Sequence, residues 1–116
     1  MVWDELSLKR CQRAIDRFMA TCRPPLCLRD QLDYACRIEG RSIELLAIRP
    51  FPLEQVMVRR EYPIARATYV QTQGVWQIYH LGSDQRWHRY KPTPTVRHPD
   101  QFFDVIREDE YGCFFG

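Results

Sequence analysis

The spacing of apolar residues changes from helical to strand-like at Pro24-Pro25, and this change constrains the fold more than any other feature. Before it, apolar residues recur three and four positions apart, at Leu8, Cys11, Ile15, Phe18, Met19 and Cys22. The spacing predicts an amphipathic helix over 4–22, whose solvated side carries Lys9, Arg10, Arg13 and Arg17. We expect Asp4 to be the N-cap and Trp3 to pack against Leu8. The two prolines end the helix.

After the prolines, apolar and polar residues alternate. Alternation over 32–39 predicts a strand, and 43–48 predicts a second, which is apolar on both sides apart from Glu44 and so interior to a sheet. Three more strands are predicted over 64–71, 75–81 and 86–91, separated by turns at Gly74 and at 82–85. The connection over 50–63 is bracketed by prolines, and its form does not follow from the pattern.

The C-terminal segment predicts a helix and a packed tail. Pro99 suits the first position of a closing helix of about ten residues, and Phe102, Phe103 and Ile106 form its apolar side. Residues 111–116 are apolar enough to favour docking on the body of the protein. The predicted fold is α+β: an N-terminal helix, a five-stranded antiparallel meander sheet, a short C-terminal helix and a docked apolar tail.

Composition limits the classes of protein to which the chain can belong. With 116 residues, of which 45% are hydrophobic, we expect a single domain over 1–116. A formal net charge of +2 does not by itself indicate nucleic-acid binding. Five cysteines without a C-x-x-C pair predict reduced thiols and a cytoplasmic protein. We expect no membrane association, because no long apolar run exists, and the oligomeric state stays open.

One face of the predicted sheet is the candidate binding surface. Placing Gln71 opposite Val75 and Leu81 opposite Arg86 brings five residues to the same face, which are Arg66, Trp76, His80, Trp87 and Arg89. Arginines among flat rings suit phosphates and stacked bases. They equally suit a protein-binding patch, where Trp and Arg dominate the binding energy. A third interpretation is that the two Trp side chains belong to the core and the arginines extend to solvent at its edge.

Catalytic and metal-binding chemistry finds little support. The same register puts His80 and His88 on opposite faces, so we expect no metal site, and no glycine-rich loop or serine motif indicates a cofactor or a nucleophile. A metal-independent ribonuclease that uses Glu44, His80 and Arg66 is the one catalytic alternative. The leading hypothesis is a non-catalytic binding module with nucleic acid as the first candidate ligand. A protein-interaction or regulatory subunit is the alternative.

Several short strings resemble a known family over nearly the whole chain. They are Arg23-Pro24-Pro25, Ile38-Glu39-Gly40, Glu44-Leu45 with Ile48-Arg49-Pro50, Ala65-x-Ala67-Thr68-Tyr69-Val70, Val75-Trp76, Trp87-His88-Arg89-Tyr90 and the ending Asp109-Glu110-Tyr111-Gly112-Cys113-Phe114-Phe115-Gly116. On these the chain resembles the bacterial domain of unknown function 3024 family. The resemblance implies a small bacterial protein whose tail belongs to the fold, and it brings no activity, cofactor or catalytic residue.

Overall fold

The computed structural model describes residues 5–115. Helix α1 spans Glu5–Cys22, a single 3-10 turn spans Leu26–Leu28, and helix α2 spans Pro99–Glu108. The strands are β1 (Asp33–Glu39), β2 (Ser42–Leu53), β3 (Val56–Val70), β4 (Val75–Leu81), β5 (Trp87–Arg89) and β6 (Thr95–Val96). Asp4 and Trp3, the expected N-cap and its packing partner, lie outside the described residues, as does Gly116. Neither helix is long and apolar enough to cross a membrane within the described part of the chain.

The sheet is an antiparallel meander in the order β1-β2-β3-β4-β5. The predicted α+β architecture is therefore confirmed. One addition was not predicted: the two-residue strand β6 pairs with β4 beside β5, so these two short strands share one edge of β4.

Both helices pack on the same side of the sheet, which we call the helix-covered face. Its buried residues are Ile43, Leu45, Ala65, Ala67, Trp76 and Ile78. Ala65 and Ala67 are fully buried, and their small side chains let the helices lie close to the central strand. The rings of Phe18 and Phe103 stack with centroids 4.7 Å apart, which joins α1 to α2 above this face.

The apolar tail is docked through Phe114, whereas Tyr111 and Phe115 remain exposed, so the predicted docking holds for part of the tail. Phe114 is buried with its ring centroid 4.9 Å from that of Tyr90. The carboxylate of Asp109, just after α2, accepts hydrogen bonds from the backbone N–H groups of Phe114 at 3.0 Å and Phe115 at 2.8 Å. Ring packing and this carboxylate together hold the chain end against the sheet.

The connection over 50–63 is a hairpin arm, which we define as residues 49–60. Strands β2 and β3 continue without a break to a two-residue turn at Glu54-Gln55. In a hairpin with a two-residue turn, the residue pair that flanks the turn is hydrogen-bonded. The pairs further from the turn then alternate between non-hydrogen-bonded and hydrogen-bonded. Pro50 and Pro52 consequently occupy positions whose N–H would point away from the partner strand. The prolines therefore cost no ladder hydrogen bond, which explains why they do not interrupt the strand.

We expect the arm to gain stability from a better turn sequence. Glu54 and Gln55 have φ values of 49° and 73°, the left-handed conformation of a type I′ turn that favours Asn-Gly. The double substitution Glu54→Asn with Gln55→Gly should raise the free energy of unfolding by about 0.5–1 kcal/mol, measured by urea denaturation. Gln73→Gly, in a turn residue whose φ is negative, is the matched control and should give no gain. Equal effects of the two changes would contradict the explanation.

The register of the last two hairpins differs by one residue from the prediction. Val70, and not Gln71, pairs with Val75, and Leu81 pairs with Trp87, and not with Arg86. Each turn holds one residue more than predicted. The first closes through a hydrogen bond from Gly74 N–H to the Val70 carbonyl at 2.8 Å, with Gly74 at a φ of 65°. A shift of one residue exchanges the two faces of a strand relative to its neighbour. The two shifts therefore move the side chains of β4 to the opposite face relative to those of both β3 and β5.

Candidate functional site

The side of the sheet away from the helices, which we call the open face, carries a row of side chains that crosses all five main strands. Cross-strand pairing joins Arg37 to Glu44, Glu44 to Arg66, Arg66 to Tyr79 and Tyr79 to Arg89. Directly opposed side chains on one face have Cβ atoms about 5 Å apart, so neighbours in this row are in contact range. We call it the transverse row.

The β1 end of the transverse row is neutralised by carboxylates. The Arg37 guanidinium lies 3.4 Å from Glu44, 3.7 Å from Glu61 and 3.8 Å from Glu39. The Glu44 side chain is nearly buried beneath this arginine. With three carboxylates around one cation, this end of the row is poorly suited to binding an anion.

The part of the transverse row on β3, β4 and β5 is cationic and aromatic. Arg66 donates a hydrogen bond to the Ser42 hydroxyl at 3.3 Å, which orients its guanidinium without neutralising it. The Arg89 guanidinium lies 5.7 Å from the centre of the Tyr79 ring, within cation–π range. Tyr79 donates its hydroxyl hydrogen bond to Gln77 at 2.7 Å. Neither Arg66 nor Arg89 forms an ion pair with any residue between 5 and 115.

The five predicted binding residues do not share one face, and this part of the prediction is wrong. Arg66, Trp87 and Arg89 lie on the open face, where Trp87 occupies the position next to Arg89 in the direction of the β4–β5 turn. Trp76 and His80 lie on the helix-covered face. Trp76 is only 5% exposed and packs against Tyr69 with centroids 5.2 Å apart. The one-residue slips described above are the cause.

The two histidines form a direct cross-strand pair, so their predicted separation onto opposite faces is also wrong. The ring centroids of His80 and His88 are 5.8 Å apart. His88 Nε2 lies 3.0 Å from both carboxylate oxygens of Asp84. This hydrogen bond, followed by one from the Arg86 backbone N–H, lowers the pKa of Asp84. Within 5–115, no three His, Cys, Asp or Glu side chains are grouped so that they could hold a metal ion.

The ribonuclease constellation is not assembled. Glu44 and Arg66 are neighbours in the transverse row on the open face, but His80 lies on the other face of the sheet. A general acid and a general base must both reach the same phosphodiester. The sheet separates them, so these three residues cannot act together on one substrate.

Sequence reasoning missed Arg37 and Tyr79 as members of the transverse row. Arg37 follows the polar alternation of β1 and could have been assigned to the polar side of that strand. The predicted register, with Gln71 opposite Val75, puts Tyr79 on the face opposite to Arg66, whereas the two residues are direct cross-strand partners. The signal that would have found it is the strand itself, where Trp76 and Ile78 alternate with Gln77 and Tyr79. Burying the more apolar pair puts Tyr79 on the open face.

Comparison with known proteins gives one match. A family model described as a domain of unknown function (DUF3024) matches residues 3–116. No curated protein and no solved structure matches the chain. Since that description assigns no activity, the case for a function depends on the geometry of the site.

Proposed function

The chain belongs to the domain of unknown function family DUF3024, and from this premise we propose that it is a non-catalytic module that binds single-stranded nucleic acid on its open face. The observation that carries the proposal is the group formed by Arg66, Tyr79 and Arg89. These three residues are successive members of the transverse row. Glu44 is the cross-strand neighbour of Arg66, but within residues 5–115 no carboxylate forms an ion pair with either arginine.

Each member of this group has a separate role in binding. The guanidinium groups of Arg66 and Arg89 provide planar donors for phosphate oxygens. Their strands flank β4, so their Cα atoms are about 10 Å apart, which lets them contact different phosphates. The Tyr79 ring lies between them and offers a surface on which a base can stack, as does Trp87 at the next position. Sheets bind unpaired bases in this way, since a flat face cannot enter a duplex groove.

The five cysteines support a cytoplasmic setting for this activity. All five are free thiols, and a reducing compartment keeps thiols in that state. Cytoplasmic RNA is therefore the first nucleic acid to test.

The salt dependence of binding tests the proposal. We expect a fluorescent single-stranded oligonucleotide to bind the wild-type protein with an affinity whose logarithm falls linearly with the logarithm of salt concentration. In the variant Arg66→Gln with Arg89→Gln, loss of two phosphate contacts should make this slope shallower by about 1.4. Tyr79→Ala should weaken binding by about tenfold or more, with the slope unchanged, because stacking is not ionic.

A charge-matched variant makes the measurement specific. Lys9→Gln with Arg13→Gln removes the same charge from exposed positions of α1, on the other side of the molecule. It should bind like the wild type. Equal weakening by the two double variants would mean that net charge alone drives association, and no binding to any single-stranded probe at low salt would refute the proposal.

A protein-interaction module is the second candidate, and the tip of the hairpin arm favours it. Leu53, Val56 and Met57 are 55%, 60% and 62% exposed, which is unusual for three apolar side chains so close together. A protein partner should stay bound after nuclease treatment and be lost in the variant Leu53→Ser with Met57→Ser. Loss of every partner after nuclease would contradict this candidate.

A further inference from the structure

A second potential ligand site lies on the helix-covered side of the sheet. There, a cavity of about 370 Å³ opens between α1, the β3–β4 hairpin and the start of α2. Its wall includes three arginines and a histidine, which are Arg10, Arg41, Arg97 and His98, above the aromatic pair Tyr69 and Trp76. No Asp or Glu among residues 5–115 lines it.

The cationic groups come from three separate elements, and hydrogen bonds fix part of this wall. Arg10 comes from α1, Arg41 from the β1–β2 turn, and Arg97 from the residues before α2. The backbone N–H groups of Arg97 and His98 both donate to the Gln101 side-chain oxygen at 2.9 Å, which fixes this segment. Arg41 donates to Gln71 at 2.8 Å. Arg10 and Arg97 both line the cavity, so their like charges repel each other, and a bound anion would relieve this repulsion.

The aromatic part of the wall favours a planar group on the same ligand. Tyr69 is half-buried, and Trp76, although buried, also lines the cavity. Cys11 also lines the cavity, and burial raises the pKa of its thiol to about 12. The thiol therefore stays neutral near pH 7 and does not oppose an anion. Its chemistry is that of a small apolar side chain.

We propose that this cavity binds a free nucleoside monophosphate, with the phosphate held by Arg10 and Arg97 and the base against the aromatic part of the wall, chiefly Tyr69. Phosphate is favoured over a single carboxylate because its greater negative charge and third terminal oxygen match two guanidinium groups better. The cavity lies near the lower end of the volumes of small-molecule sites, about 300–1,000 Å³. That volume suits a mononucleotide better than a dinucleotide. The site is independent of the open face, and the proposal does not rest on the function proposed above.

Isothermal titration calorimetry with the full chain tests this assignment. We expect adenosine or guanosine monophosphate to bind in a one-to-one ratio, and adenosine and inorganic phosphate each to bind at least about tenfold more weakly, because each lacks half of the contacts. Arg97→Gln and Arg10→Gln should each weaken nucleotide binding by about tenfold or more. Both arginines are exposed, so unchanged thermal unfolding midpoints are expected for these variants.

Two controls separate the site from general charge and from the open face. Arg13→Gln, on the same helix but outside the cavity wall, and Arg66→Gln with Arg89→Gln should bind the nucleotide like the wild type. Weakening by Arg13→Gln equal to that by Arg97→Gln would overturn the proposal. Absence of heat with either monophosphate, or equally tight binding of inorganic phosphate, would also overturn it. Tighter binding of a 5′-phosphorylated trinucleotide would overturn the assignment to a free nucleotide.

Discussion

Replacing Phe18 with alanine is expected to lower the free energy of unfolding by about 3–5 kcal/mol. Phe18 is fully buried, stacks on Phe103, and has the Arg107 guanidinium 5.4 Å from the centre of its ring. Its removal opens a cavity between α1 and α2. The walls of this cavity belong to two helices that cannot move into the space without losing their contacts with the sheet. Most of the free-energy cost of the cavity therefore remains.

Urea denaturation measures this loss as a lower midpoint at an unchanged slope. Leu6→Ala, on the same helix at a side chain that is 62% exposed, should cost less than about 0.5 kcal/mol. If Phe18→Ala leaves too little stability for a native baseline, Phe18→Leu provides a smaller step with the same sign. A loss for Phe18→Ala as small as that of Leu6→Ala would show that the stacked pair does not join the helices.

The same aromatic pair shows why the helices were predictable from the sequence. In α1, Cys11, Ile15 and Phe18 recur at helical spacing, and all three are buried. In α2, Phe102, Phe103 and Ile106 behave in the same way. The buried stripe of a helix consists of residues that are close in sequence. The spacing of apolar residues is therefore enough to predict which side of each helix is buried. The strands were predictable for the same reason, since alternation is local.

The hairpin arm was not predictable by the same reasoning. Pro50 and Pro52 normally argue against a strand. They are tolerated here because of their position in the ladder relative to the turn at Glu54-Gln55. Neither turn residue is glycine, although both have positive φ values. The usual signals of a tight hairpin are therefore missing, and the long partner strand compensates for the strained turn.

The candidate site was predicted only in part, because the face of each residue depends on the register of its own strand. Arg66, Trp87 and Arg89 stay together, since the two register slips cancel between β3 and β5. Trp76 and His80 belong to β4, which each slip turns over. Loop length set the error: one extra turn residue in each hairpin, Gln71 in the first and Arg86 in the second, decides which side of β4 faces the helices. Hydrophobic pattern specifies a face, but only the turn geometry specifies the register.

Protonation of Asp33 is expected to remove a second large contribution to stability, of about 1–2 kcal/mol, as the pH falls from about 4 to about 2. Asp33 begins β1 and is buried, although it is charged. Arg23, just after α1, donates to its two carboxylate oxygens at 2.8 and 2.7 Å, and the Tyr34 backbone N–H donates at 2.8 Å. The pair therefore connects the end of α1 to the sheet.

These hydrogen bonds, with that from Arg23 the largest cause, lower the pKa of Asp33 from its ordinary value of 3.8 to about 2. The unfolded chain consequently takes up a proton at a higher pH than the folded protein does. The contribution is fully present above the unfolded pKa and is lost as the pH falls through the folded pKa. The Arg23 side chain is 41% exposed, and solvent screening therefore keeps the contribution of this ion pair to stability below that of a fully buried pair.

The variant Asp33→Asn isolates this contribution from the titration of other carboxyl groups. At pH 6 it should be less stable than the wild type by about 1–2 kcal/mol in urea denaturation. The difference should shrink steadily as the pH approaches about 2, because the wild-type side chain is then neutral in the unfolded chain and about half protonated in the folded protein. Glu39→Gln, at an exposed carboxylate of the same strand, is the matched control and should differ little from the wild type at any pH. A difference between Asp33→Asn and wild type that stays constant with pH would mean that shape and hydrogen bonding, and not charge, connect Arg23 to Asp33.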